Sequence, residues 1–147
     1  IVGDGDVVPS LKSYVHAHKL EEKVLFFGKL PYHEMMNYTY HADIGLTLDK
    51  NSNPNYEFSL PNKVFDYIHA GTAIVATDLI EVKNIVLKHS VGIIIPSCTV
   101  EHIKTAIEGL IKDEDLLNQL KNNCKSAAHQ ENWEAETKVL DEVYDFV

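Results

Sequence analysis

Arginine is absent: all 13 basic residues among the 147 are lysines. The planar, bidentate guanidinium that usually clamps phosphates and carboxylates is therefore missing. Any phosphate bound by these residues is held by lysine ammonium or backbone N–H groups. The lysines are scattered and 22 acidic residues outweigh them, leaving a formal charge of −9. This argues against a general nucleic-acid binder, which needs clustered cations along a phosphate backbone. Cysteine is scarce as well. Cys98 and Cys124 stand in no CxxC or Cys/His pattern, so they read as reduced structural thiols, and neither a disulfide nor zinc is expected. No run of about 18 apolar residues occurs, so no transmembrane segment is expected. Ile1-Val2-Gly3-Asp4 has neither the basic start nor the apolar stretch of a signal peptide, so a cytoplasmic location is expected. There are no internal repeats and no low-complexity tracts. A Ser/His/Asp triad has no G-x-S-x-G elbow to sit on.

What is present is alternation. With 45% hydrophobic residues, a chain of this length is expected to form one globular domain that buries roughly two thirds of its unfolded surface. Ile1-Val2 reads as the tail of a strand entering the Gly3-Asp4-Gly5 turn, as if the chain began inside a domain. Leu11, Tyr14, Val15 and His18 follow at helical spacing, with Asp6 as cap and Pro9 in the first turn. Val24-Leu25-Phe26-Phe27, stopped by Gly28, suits a buried strand. Pro31-Tyr32-His33-Glu34 opens a short helix, Ile44–Leu48 is a further strand, and residues 49–61 form a polar loop longer than most connections. Helix 62–70, strand Ala73–Thr77, helix 80–88 and strand Val91–Ile95 continue the pattern. Ile103, Ala106, Ile107, Leu110 and Ile111 mark the next helix, and Leu116, Leu117, Leu120 and Cys124 another. After the polar break at His129-Gln130-Glu131-Asn132, a last helix carries Trp133, Leu140, Val143, Tyr144 and Val147 on one stripe. Strands alternating with helices predict an α/β fold, a Rossmann-like doubly wound parallel sheet with helices on both faces. In such sheets ligands bind beyond the carboxyl ends of the strands, which directs attention to the turns after Val2, Phe27, Leu48, Thr77 and Ile95.

The densest signal runs from Ser59-Leu60-Pro61-Asn62-Lys63 to Thr77-Asp78. At about 100° per residue, Asn62, Lys63 and Asp66 share one sector, with Val64, Phe65 and Ile68 nearly opposite. Pro61 at the helix start leaves N–H groups near Asn62, Lys63 and Val64 without intrahelical partners. Such a terminus with a lysine in its first turn attracts phosphate, and a carboxylate one turn on, at Asp66, can accept two ribose hydroxyl protons. The plainer alternative is a solvated Lys63–Asp66 pair worth a few tenths of a kcal/mol.

This stretch resembles the C-terminal domain of the retaining glycosyltransferases of family four, especially bacterial members that read S-x-P-N-K-hydrophobic-F-E-Y followed by A-G-x-P-V. The likeness extends to Ile1–Gly5, to Val24–Pro31, to Ala42–Leu46 and to Gly92–Pro96, in order. It implies a GT-B fold of which residues 1–128 are the nucleotide-sugar-binding domain without its first strand–helix unit. Residues 129–147 would then be a helix packed toward an absent N-terminal domain. The resemblance places Asp66 on the ribose of the donor, although aspartate is one methylene shorter than the family's glutamate. Asn62, Lys63, Ser59, Leu60 and Pro61 join it at the nucleotide sugar, and Gly28, Lys29 and Leu30 hold the base, largely through backbone groups. The family's first acid falls on Phe58. Its neighbour Glu57 is a weak catalytic candidate that reads equally as a loop carboxylate. The arginine and lysine that clamp the diphosphate in the family would precede Ile1.

The implied activity is transfer of a hexose from a nucleoside-diphosphate sugar to an acceptor glycan or lipid-linked glycan in polysaccharide biosynthesis. It implies no metal and no cofactor, and these residues alone would be inactive. The full protein would reach the inner face of the membrane peripherally through its other half. Two rival readings share the architecture, a nucleotide-sugar 2-epimerase and a non-catalytic flavodoxin-like binding module. Lesser motifs read as structure. Gly3-Asp4-Gly5 lacks the third glycine of a dinucleotide fingerprint, His16-x-His18 is a surface pair without a third ligand, and His69 is a boundary or packing residue. Tyr32, His33, Tyr38, Tyr40 and His41 suggest a half-buried edge.

Overall fold

The computed structural model describes residues 1–144, which fall into two units, Ile1–Tyr38 and a larger one from Thr39 onward. In the first unit, helix α1 spans Val8–Ala17 with Pro9 in its first turn. Asp6 does not cap it. The Val8 N–H already bonds the Gly5 carbonyl at 3.0 Å, so the turn runs directly into the helix and the cap position falls to Val7 in helical backbone geometry. The expected buried strand at Val24–Phe27 is reduced to a single parallel bridge, Val2 to Gly28. Two backbone bonds flank it, from the Phe27 N–H to the Ile1 carbonyl at 2.9 Å and from the Gly3 N–H to the Gly28 carbonyl at 2.7 Å. Exposure accordingly alternates along the run, with Val24 and Phe26 half-buried and Leu25 and Phe27 exposed.

Helix α2, Tyr32–Tyr40, begins after Pro31 and buries only Met36. The aromatic cluster here is exposed rather than half-buried: Tyr32, His33, Tyr38, Tyr40 and His41 all face water. The Tyr38 ring does pack on Phe27, with centroids 4.4 Å apart.

The second unit is built on a parallel sheet of β1 (Ile44–Thr47), β2 (Ala73–Thr77) and β3 (Gly92–Ile95), in that order across the sheet. Between β1 and β2 come the one-turn helix α3 (Pro54–Glu57) and helix α4 (Asn62–Ala70). Helix α5 (Ile80–His89) joins β2 to β3, and α6 (Val100–Lys112), α7 (Glu114–Ala128) and α8 (Trp133–Tyr144) follow. The α3 turn sits inside what reads as an irregular loop. Asn53 starts it by accepting the Tyr56 N–H at 3.1 Å, and Pro54 supplies the first helical residue, the pairing that favours helix initiation.

Every residue of β2 is buried, and its alternation divides the core. Ile74 and Ala76 meet Val64, Ile68, Val82, Val86 and Cys124 on one side. Ala73 and Val75 meet Ile95, Ala106, Leu110 and Leu120 on the other. A strand apolar on both faces requires helices on both faces, and here they are present. Gly71 ends α4 at φ 70°, a left-handed cap that glycine adopts without strain. Val147 lies outside the described residues, but the rest of the expected stripe on α8, Trp133, Leu140, Val143 and Tyr144, is exposed.

Candidate functional site

Strand β1 delivers the chain to its carboxyl end at Thr47, and β2 does the same at Thr77. Both threonines are buried, at 1% and 5% exposure, so their hydroxyls must find acceptors. Thr47 donates to Asp49 Oδ2 at 3.0 Å, and Thr77 donates to the Asp49 carbonyl at 2.6 Å. Asp49 is thereby fixed in side chain and backbone, and its Oδ2 also takes the Lys63 ammonium at 2.8 Å. Burial acts to raise the Asp49 carboxyl, but hydrogen bonds from Lys63 and Thr47 and the lysine charge outweigh it, so the group stays below the ordinary carboxylate range. Lys63 is therefore held by Asp49, across the loop, rather than being a freely solvated cation.

Helix α4 starts without a side-chain cap, since Pro61 occupies that position. The Val64 N–H is not left over as expected, because it bonds the Pro61 carbonyl at 3.0 Å in a tight first turn. The remaining N–H groups of the start belong to Asn62 and Lys63. Asn62 is exposed and Asp66 half-buried. Ser59 turns its hydroxyl back to the Tyr56 carbonyl at 2.9 Å, and Leu60 packs against the core, so Leu60 offers the site only backbone. Glu57 is the half-buried last residue of α3. Gly28, Lys29 and Leu30 lie in the first unit, where Gly28 takes φ 70° and its carbonyl accepts the Gly3 N–H at 2.7 Å.

Beyond the carboxyl ends of β1, β2 and β3 lies a cavity of about 420 Å³ lined by Asp49, Lys50, Asn51, Thr77, Asp78, Leu79, Pro96, Ser97, Cys98 and Thr99. This is the edge at which parallel α/β sheets bind ligands, and its volume falls in the range of small-molecule sites. Asp78 is paired with Lys83 at 3.0 Å. Ser97 Oγ meets His102 Nδ1 at 2.9 Å, and the Cys98 thiol donates to the Leu48 carbonyl at 3.1 Å. Thr99 caps α6. These turns are legible in the sequence, whereas Asp49 is not. The usable signal is a threonine ending each of two buried strands, because a buried hydroxyl demands an acceptor nearby.

Elsewhere, both thiols are free, and no described group of three or more His, Cys, Asp or Glu is placed to hold a metal ion. His16 pairs with Glu21 at 2.7 Å and His18 bonds the Tyr14 carbonyl at 2.8 Å. His69 bonds the Glu131 carbonyl at 2.7 Å. Among the described residues, no helix is long and apolar enough to cross a membrane.

No curated protein sequence matches the chain significantly, but solved structures do. HepE from Anabaena, solved in complex with UDP, superposes at a TM-score of 0.79 with 17% identity, over 99% of this chain and 40% of that one. Sucrose-phosphate synthase from Thermosynechococcus elongatus does so at 0.77 with 17% identity, over 93% and 33%. WaaG, a glycosyltransferase involved in lipopolysaccharide biosynthesis, gives 0.73 with 15% identity, over 95% and 36%. The chain thus spans well under half the length of each of these proteins, and at such identities the likeness is one of fold, the Rossmann-like α/β architecture of GT-B enzymes. Residues 1–127 match the family described as glycosyl transferases group 1, and the chain belongs to that family.

Proposed function

We propose that this chain is the donor-binding half of a retaining, family-four glycosyltransferase of bacterial type. The full protein would transfer a hexose from a nucleoside-diphosphate sugar to an acceptor glycan or lipid-linked glycan in polysaccharide biosynthesis. The observation that carries the reading is the start of α4. There Asn62, Lys63 and Asp66 share one helix face, and Lys63 is fixed to the strand end at Asp49. In this reading Asp66 accepts the ribose hydroxyls, and Lys63 with the helix start meets the phosphates. Ser59, Leu60 and Pro61 shape the approach, and Gly28, Lys29 and Leu30 present backbone groups to the base. Glu57 is the candidate for the family's first acid.

Chemistry would consist of positioning the donor and stabilising the departing diphosphate, with no nucleophile from this half, no metal and no cofactor. The exposed apolar stripe of α8 suits burial against an N-terminal domain that supplies the acceptor site. This half alone would not turn over, and the full enzyme would work in the cytoplasm, peripherally at the membrane. Ligand-observed NMR on the full-length protein with UDP, GDP and their sugars tests the reading. One nucleotide should give a binding signal that Asp66→Ala and Lys63→Ala each weaken. Unchanged binding in both variants would contradict the site.

A further inference from the structure

Asp49 Oδ2 receives two donors, the Lys63 ammonium at 2.8 Å and the Thr47 hydroxyl at 3.0 Å. Its backbone carbonyl receives a third, the Thr77 hydroxyl at 2.6 Å. Thr47 and Thr77 are buried residues of adjacent strands, so the carboxylate is anchored to the rigid part of the sheet. Lys63 is the opposite, a flexible four-carbon side chain in the first turn of α4. Its ammonium carries three N–H donors, and a contact to one carboxylate oxygen leaves the others to point elsewhere.

We propose that Asp49 is a positioning residue for the donor: it holds the Lys63 ammonium at the carboxyl edge of the sheet so that the remaining N–H groups meet the diphosphate. This role rests on the reading of Lys63 as a phosphate ligand. Two effects oppose one another. A carboxylate near a diphosphate repels it, whereas a cation already fixed in place loses little rotamer freedom on binding. The side chains of Lys63 and Asp49 are 38% and 27% exposed, so the charge of Asp49 is compensated at contact and further screened by water and salt. The rotamer freedom of Lys63 returns when the carboxylate is removed. Positioning wins, and loss of Asp49 weakens binding.

Isothermal titration of the full-length protein with UDP, GDP, ADP and TDP identifies the tightest diphosphate, and its parent nucleoside serves as control. Asp49→Ala should weaken the diphosphate about 3- to 10-fold and leave the nucleoside unchanged. Asp49→Asn, whose amide oxygen still accepts from Lys63, should stay within about 2-fold of wild type. In a Lys63→Met background, Asp49→Ala should add nothing, because the two residues act as one unit. Thr47→Val removes only the second anchor of Oδ2 and should weaken the diphosphate by a smaller factor, a readout that stands even where Asp49→Ala does not fold. Equal or tighter diphosphate binding by Asp49→Ala, an equal loss for the nucleoside, or an undiminished effect in the Lys63→Met background would overturn the role of Asp49. Wild-type binding by Lys63→Met would overturn the phosphate reading itself, and binding of none of the four nucleotides would overturn the proposed function.

Discussion

Glu131 accepts a hydrogen bond from His89 Nε2 at 2.6 Å, with the two side chains 10% and 6% exposed, and the same Oε1 takes the Lys88 ammonium at 2.7 Å. The Glu131 carbonyl is bonded by His69 at 2.7 Å, so one residue ties the ends of α4 and α5 to the junction of α7 and α8. Burial acts to raise the Glu131 carboxyl, but hydrogen bonds from Lys88 and His89 and their charges outweigh it and hold it below the usual 4.5. A lowered carboxyl contributes stability that is fully present above its unfolded value and is lost as pH falls through its folded value. Glu131→Gln should therefore cost about 1–3 kcal/mol near neutral pH. Thermal melts of both proteins as the pH is lowered from neutrality to below 4.5 should show the gap between them closing. A gap that stays constant would mean that the ion pairs contribute nothing.

Cys124 is fully buried among core residues, and desolvation pushes its thiol up to about 11. Because the thiolate is the reactive form, Cys124 should resist a thiol reagent at pH 8 in the native protein and react fully in denaturant. The half-buried Cys98 should react faster of the two. Native-state labelling at Cys124, located by peptide mapping, would contradict the packing of α7 against β2.

Gly92 sits where an added Cβ would come within 2.1 Å of the Ile74 carbonyl oxygen, and at Gly45 it would meet the Tyr67 ring at 2.6 Å. The first obstacle is backbone in a sheet ladder and the second is a side chain that can be trimmed. Gly92→Ala should destabilise by about 3 kcal/mol or more and Gly45→Ala by about 1–3 kcal/mol. Tyr67→Leu should recover part of the second loss and none of the first. Denaturant melts decide it, and recovery of Gly92→Ala by Tyr67→Leu would contradict the register.

The elements with strong periodicity were legible from residues alone. Helix α4 and strand β2 fall at 62–70 and 73–77 as their apolar spacing predicts, because local pattern and tertiary burial agree there. Val24–Phe27 was legible as extended and apolar but not as half-exposed, since burial depends on what packs against each face of the run. The α3 turn was written in Asn53-Pro54 and is easily passed over inside a polar loop. On the site side, the carboxyl edge and the α4 start follow from the fold and the resemblance. The Lys63–Asp49 pair does not, because the two residues are brought together only when β1 and α4 are in place. Glu131 is harder still, lying 42 residues from His89 and 62 from His69, with nothing local to distinguish it from a solvated break.

Thr77→Val should remove the hydroxyl bond to the Asp49 carbonyl, cost about 1–2 kcal/mol of stability, and weaken diphosphate binding in the same direction as Asp49→Ala. Calorimetric melting and titration on the same sample check both effects. A stability loss with unchanged binding would show that the backbone anchor is purely structural.

If Asp66 receives the ribose of a nucleotide donor, binding of a ribonucleotide and of its 2′-deoxy analogue must differ. On the full-length protein, wild type should bind the ribonucleoside diphosphate about 10- to 150-fold more tightly than the deoxy form, as expected for a hydrogen bond to a charged carboxylate. Asp66→Ala should lose that preference by weakening the ribonucleotide alone. An Asp66→Ala variant that still distinguishes the two sugars as wild type does would show that Asp66 does not bind the ribose.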